Sequence, residues 1–226
     1  MARRAVAELL GTGFLLAAVV GSGIMGERLA GGNIAIALLV NTIATGAALM
    51  ALIYSFGGLS GAHFNPVVTL DQALNDAMPW RQAPAYVIAQ IVGAFLGVGA
   101  ANRMFGLALF SVSRHARSGP ALLLSEFIAT FGLIMVIRAC SVSRTSAVPV
   151  AVGAYIAAAY WFTASTSFAN PAVTLARTGS DTFAGIRPID VPGFIAAQLA
   201  GGLTASILCN WLLRPSEAAT AKEKEA

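Results

Sequence analysis

Charge is what this chain has least of: Asp, Glu, Lys and Arg make up 11% of its 226 residues, against 57% hydrophobic residues. An ordinary soluble domain carries about 25% charged residues. With so few, and a mean hydropathy of +0.75, the chain cannot cover a water-facing surface and reads as a polytopic membrane protein. Cysteine is nearly absent. Cys140 and Cys209 form neither a disulfide framework nor a metal-ligand spacing, and read as two inert thiols in apolar surroundings. Histidine occurs twice, and no cysteine, aspartate or second histidine is placed to complete a metal site at His63. Missing too are H-E-x-x-H, G-x-S-x-G, Walker and G-x-G-x-x-G patterns in fitting contexts. Nothing recommends an enzyme, and no catalytic or metal-binding residue is assigned. The net charge of +4 suits basic loops at a membrane surface, with no basic stripe interleaved with aromatics to argue for nucleic acid.

What the chain does have is apolar length. Runs of spanning size recur at 5–25, 34–56, 83–104, 121–140, 147–164 and 192–213, each near the ~20 residues a helix needs to cross a bilayer. The first follows Arg3 and Arg4 as a secretory signal would. It is too long for a cleavable h-region and contains Glu8, so it is read as a span. Two shorter runs, 66–77 and 171–180, follow Asn-Pro and cannot cross. They predict re-entrant half-helices, because irregular backbone at membrane depth must be buried in protein or line water. The expected fold is an all-α membrane protein of six transmembrane helices and two half-helices in one domain, 1–215. The charged tail 216–226 is expected to be disordered.

Six spans put both termini on one side. Cytoplasmic termini leave Arg3, Arg4, Arg81, Arg138, Arg144, Arg214, Lys222 and Lys224 inside, and Arg28, Arg103, Arg114, Arg117, Arg177 and Arg187 outside. This balance follows the positive-inside rule and gives a multi-pass protein of the inner (plasma) membrane.

The chain also repeats itself, over 1–110 and 118–215. Glu8-Leu9-Leu10-Gly11-Thr12, Asn65-Pro66-Val67-Val68-Thr69-Leu70 and Gln90-Ile91-Val92-Gly93-Ala94 return in order. Their counterparts are Glu126-Phe127-Ile128-Ala129-Thr130, Asn170-Pro171-Ala172-Val173-Thr174-Leu175 and Gln198-Leu199-Ala200-Gly201-Gly202. Each repeat holds three spans, an odd number, so the second is inserted upside down. Inverted repeats bring equivalent interrupted helices face to face near the midplane.

Asn65-Pro66 and Asn170-Pro171 read as helix starts, with Asn as N-cap and Pro at the first helical position. The cap oxygen accepts a backbone N–H, which turns the amide NH2 towards a lumen. Two such amides, each backed by a helix N-terminus worth about half a positive charge, would meet a permeant as paired donors and repel cations. A lone Asn-Pro marks only a turn; two in matching apolar contexts argue for the pore. Glu8 and Glu126 are the acids within the spans, and a charge there costs ~2.5–3.5 kcal/mol even on an insertion scale. A proton relay is one reading. The favoured one is a carboxylate accepting N–H groups from the loop before each half-helix. His63 is read as a pore-loop residue acting mainly through its carbonyl, and His115 as a solvated loop residue. Gly93 and Gly97 form a G-x-x-x-G pair suited to close helix packing.

These residues resemble the major intrinsic protein family, the aquaporins and aquaglyceroporins, over nearly the whole chain. The markers are Ala7-Glu8 with Gly11-Thr12, Ser60-Gly61-Ala62-His63-Phe64-Asn65-Pro66 and Asn170-Pro171-Ala172. The resemblance implies a channel without cofactor for small neutral solutes and water. It also implies a homotetramer in membrane lipid in which each protomer has its own pore. Pore carbonyls would come from Gly61, Ala62, His63, Thr166, Ser167 and Phe168. Members usually place an arginine directly after the second motif as part of a selectivity filter; here Val173 stands there, with Arg177 four residues on. By spacing from the asparagines, the filter would be Thr45, Ala158, Ser167 and Val173, which is small, uncharged and wide. The chain is similar here to the arsenic-associated branch of bacterial aquaglyceroporins, which implies passage of arsenite, As(OH)3, with glycerol-like polyols and urea. A water-selective pore is the nearer rival, and an ion-coupled secondary transporter, also built from inverted repeats, the more distant one.

Overall fold

The computed structural model describes residues 1–213; the tail expected to be disordered, 216–226, lies outside them. The first half runs α1 (Ala2–Leu29), α2 (Ile34–Ser60), α3 (Pro66–Leu74) and α4 (Ala83–Met104). The second runs α5 (Pro120–Ser143), α6 (Val148–Phe162), α7 (Pro171–Ala176) and α8 (Val191–Leu212). Six of these, all but α3 and α7, are long and apolar enough to cross a membrane when their flanking 3-10 turns are included. The half-helices differ in one respect from expectation. Only Pro171–Ala176 of the second is α-helical, and it tightens into a 3-10 turn at Arg177–Gly179.

Local chemistry sets the ends of these elements. A proline stands in the first turn of every helix from α3 to α8, where its missing N–H is not needed and its fixed φ favours the helix. Asn33 caps α2 by accepting from Ala35 N and Ile36 N at 3.0 and 3.2 Å. The same helix stops at Gly61, whose φ of +89° is open to glycine at little cost.

Polar and apolar groups are distributed the reverse of a soluble protein. Phe14, Ile43, Ile88 and Ile207 are each more than 60% exposed, while Glu8, Gln90, Glu126 and Gln198 are fully buried. A surface so apolar has hydrocarbon as its natural solvent. The helices pack in two equivalent sets, α1 with α2 and α4, and α5 with α6 and α8; α2 meets α6 between the halves. Equivalent glycines permit the closest crossings. A Cβ at Gly93 would overlap the Leu9 carbonyl, one at Gly97 the Gly13 carbonyl, and one at Gly201 the Phe127 carbonyl.

Gly93→Ala and Gly201→Ala should therefore each push one helix pair apart. Overpacking of this kind costs about 1–3 kcal/mol, read as a lower melting temperature and folded yield in detergent. Gly106→Ala, where no atom would meet the added Cβ but φ is +74°, should cost only local loop strain. Melting temperatures for the crossing variants equal to wild type would show that the crossings can widen freely.

Candidate functional site

The two half-helices start head to head. Asn65 caps α3 by accepting from Val67 N at 2.9 Å, and Asn170 caps α7 by accepting from Ala172 N and Val173 N at 3.0 and 3.3 Å. Before each asparagine the chain is neither helix nor strand. Gly61, Ala62 and Phe64 in the first loop, and Thr166, Ser167 and Ala169 in the second, all have positive φ. Five of those six carry a Cβ, and each such conformation costs on the order of 1–2 kcal/mol, so something must hold them.

The holding groups are the buried acids. Glu8 Oε1 accepts from Ser60 Oγ at 2.6 Å and His63 N at 3.0 Å, while Oε2 accepts from Phe64 N at 2.7 Å and Gln90 Nε2 at 2.8 Å. Glu126 repeats the pattern, accepting from Phe168 N and Ala169 N at 2.9 Å each and from Gln198 Nε2 at 2.6 Å. Each glutamine amide also donates to a half-helix threonine, Gln90 to Thr69 at 2.9 Å and Gln198 to Thr174 at 2.8 Å. The Glu, Gln and Thr of each repeat thus form one connected unit. Its glutamines were visible in the sequence repeat but had no role there.

The asparagine amides differ from the sequence expectation. Asn65 Nδ2 donates to the Ala169 carbonyl and Asn170 Nδ2 to the Phe64 carbonyl, both at 2.7 Å. Each amide uses one N–H to brace the opposite loop, leaving one rather than two for a permeant. The carbonyls of Gly61, Ala62, His63, Thr166, Ser167 and Phe168 accept no hydrogen bond from the described residues, consistent with backbone that faces water or solute.

One continuous cavity runs past this centre. Its walls are stripes of residues spaced four apart: Thr45, Leu49 and Ile53 of α2, Val148, Val152, Ile156 and Tyr160 of α6, with Leu15 and Val19 of α1 and Leu133 and Ile137 of α5. The loops add Gly61, Ala62, His63, Asn65, Ser167, Phe168 and Asn170, and Val68 and Val173 stand at the third position past each asparagine. His63 also bonds Thr69 Oγ1 through Nδ1 at 3.1 Å.

Thr45, Ser167 and Val173 thus share one lumen, but Ala158 does not. It is exposed on the opposite side of α6, because a residue two positions from Ile156 is turned about 200° around a helix. Tyr160 takes its place, its hydroxyl 3.2 Å from Thr45 Oγ1. Nor is the lumen free of arginine, since Arg177 lines it. Thr166 lies elsewhere, in a vestibule with Glu27, His115, Arg117 and Asp181 at the mouth away from the start of α1.

Arg117 organises that mouth. Its guanidinium donates to the carbonyls of Gly185, Ser165 and Phe183 at 2.8, 3.3 and 3.2 Å, and its own N–H to Asp190 Oδ2 at 2.7 Å. Burial lowers its pKa to about 10, against the raising influence of Glu126 and Tyr160, so it is cationic at neutral pH. Partial burial, and then the Arg117 and Arg177 charges, lower the pKa of His115. His115, expected as a solvated loop residue, is exposed in the loop before α5 and also lines the vestibule.

The family model "Major intrinsic protein" matches residues 1–164. Aquaglyceroporin AqpS of Rhizobium meliloti (strain 1021) is 55% identical over 216 residues, 96% of this chain and 92% of that protein. Aquaporin NIP1-1 of Oryza sativa subsp. japonica is 40% identical over 137 residues, 60% of this chain and 47% of that one. Among solved structures, the aquaglyceroporin from Plasmodium falciparum superposes with a TM-score of 0.71 at 21% identity, covering 93% of this chain and 94% of its own. The likeness at that identity is one of fold.

Two variants probe the centre. Asn65→Asp or Asn170→Asp keeps a capping oxygen but removes the donor to the opposite loop and sets a carboxylate against a carbonyl. Solute flux should fall at least about ten-fold in protein that still inserts; undiminished flux in assembled Asp variants would remove these residues from the path. Glu8→Gln and Glu126→Gln instead turn an NH2 towards N–H donors, leaving buried groups unsatisfied at about 1–3 kcal/mol each. Folded yield should drop more than flux per channel. Normal yield combined with flux that no longer responds to pH would favour a proton relay.

Proposed function

Because the chain belongs to the major intrinsic protein family, we propose that it passes arsenite as As(OH)3, glycerol-like polyols, urea and water passively across the inner membrane. In this reading Thr45, Tyr160, Ser167 and Val173 form the filter, and the protein works as a homotetramer with one pore per protomer and cytoplasmic termini. The observation that carries it is Val173. At the third position past Asn170 it lines the lumen with an apolar side chain that fills less width than an arginine and holds no donors. Apart from Arg177, His63 and the two asparagines, the remaining wall combines aliphatic side chains with hydroxyls and bare carbonyls, a surface suited to neutral solutes with several O–H groups. An aquaglyceroporin 55% identical to this chain supports the same solute class.

Stopped-flow swelling of proteoliposomes in glycerol, urea and arsenite gradients tests the reading. Flux should rise linearly with gradient and be indifferent to ion gradients; saturation with ion coupling would establish a transporter. Val173→Arg should then slow arsenite, glycerol and urea at least about ten-fold while water still passes, because arginine adds bulk and a five-donor charged fork. If Val173 only packs against its neighbours, all fluxes should fall together with yield. Unchanged arsenite flux in well-folded Val173→Arg protein removes Val173 from the filter.

A further inference from the structure

Arg177 follows Val173 by four residues, about 6 Å of helical rise. Side chains on a helix lean towards its N-terminus, and this one reaches back along α7 to the loop before Asn170. Its guanidinium carbon lies 3.4 Å from the centre of the Phe168 ring, and Nε donates to the carbonyl of Ala184, a fully buried residue. The plane is therefore fixed from two directions. Its two terminal amino groups have no acceptor among the described residues. No carboxylate of the described residues is within ion-pair range, yet the side chain is 2% exposed and lines the lumen.

Arg117 provides the contrast, since it also approaches Phe168, at 4.9 Å, but has its guanidinium nitrogens occupied by loop carbonyls. A second lumen group near Phe168 is also unpartnered. Ser167 is 3% exposed, and its Oγ has no hydrogen-bond partner.

From this we infer that Arg177 is the pore's fixed charge and solute donor at the mouth away from the start of α1, while Val173 sets only its width. A guanidinium with no carboxylate in ion-pair range, in a low-dielectric channel, raises the energy of any cation passing it. Its terminal N–H groups, beside the free Ser167 hydroxyl, can meet the oxygens of a neutral polyol. Charge and width are thereby separated onto two residues one turn apart, so a channel opened by valine still excludes ions. The inference rests on the channel reading above.

The test reconstitutes wild type, Arg177→Met and Arg177→Lys in proteoliposomes and measures glycerol swelling together with potassium and proton flux under an imposed potential. Relative to glycerol flux, cation flux should rise at least about ten-fold in Arg177→Met and stay near wild type in Arg177→Lys at pH 7. Lysine adds a second measurement that does not depend on the methionine variant folding. As pH rises, the ammonium loses its proton before a guanidinium held in the same surroundings of Arg117, Glu126 and Tyr160, so Arg177→Lys should begin to leak cations at a lower pH than wild type. Equal cation exclusion in a glycerol-conducting Arg177→Met channel, or the same pH dependence of cation exclusion in Arg177→Lys and wild type, overturns the inference. Absence of glycerol flux in wild type would instead overturn the channel reading itself.

Discussion

Two carboxylates accepting backbone N–H groups are the constraint on which the rest of this structure depends. Non-helical chain at membrane depth has no water to satisfy it. Both stretches before the half-helices adopt left-handed conformations that would not persist alone. Glu8 and Glu126 answer both problems, and the donors around each carboxylate offset the penalty of burying its charge. Where each half-helix points follows from these anchors, as does which carbonyls are left bare. The meeting of the two asparagines follows in turn.

The symmetry generated in this way is close at the centre and lost at one mouth. Val68 and Val173 occupy equivalent wall positions, and Gln90 and Gln198 make equivalent bonds. Between α7 and α8, however, the chain is folded inward, with Gly185, Phe183 and Ala184 held by two arginines that have no counterparts in the first half. A symmetric centre gives both directions the same barrier. The lumen groups without a counterpart in the other half, Tyr160, Ser167 and Arg177, gather at the asymmetric end.

The sequence was most legible where a local rule was enough. Spans came from apolar length, helix starts from Asn-Pro, and the inverted halves from the order of Glu, Asn-Pro and Gln. Even the acceptor role of Glu8 followed from the need of a buried loop. Ala158 failed because counting back from Asn170 assumes the length of the segment leaving α6. The four-residue stripe Val148, Val152, Ile156 and Tyr160 was in the sequence and carries the correct helix phase. Arg177 was located by its Cα, whereas its chemistry lies at the end of a long side chain that reaches back to Phe168. The crossed amides joining Asn65 to Ala169 and Asn170 to Phe64 had no local signal, because partners more than a hundred residues apart are set only by the assembled halves.

Those crossed bonds also order events in time. When the first half emerges during synthesis, Glu8, Gln90 and the loop 61–65 can find one another, since all belong to that half. The Phe64 carbonyl cannot be satisfied then, because its donor is Asn170, still unmade. A nascent first repeat must shelter that acceptor in water or in the insertion machinery until the second repeat arrives. The centre of the pore can close only once the second half-helix has been made.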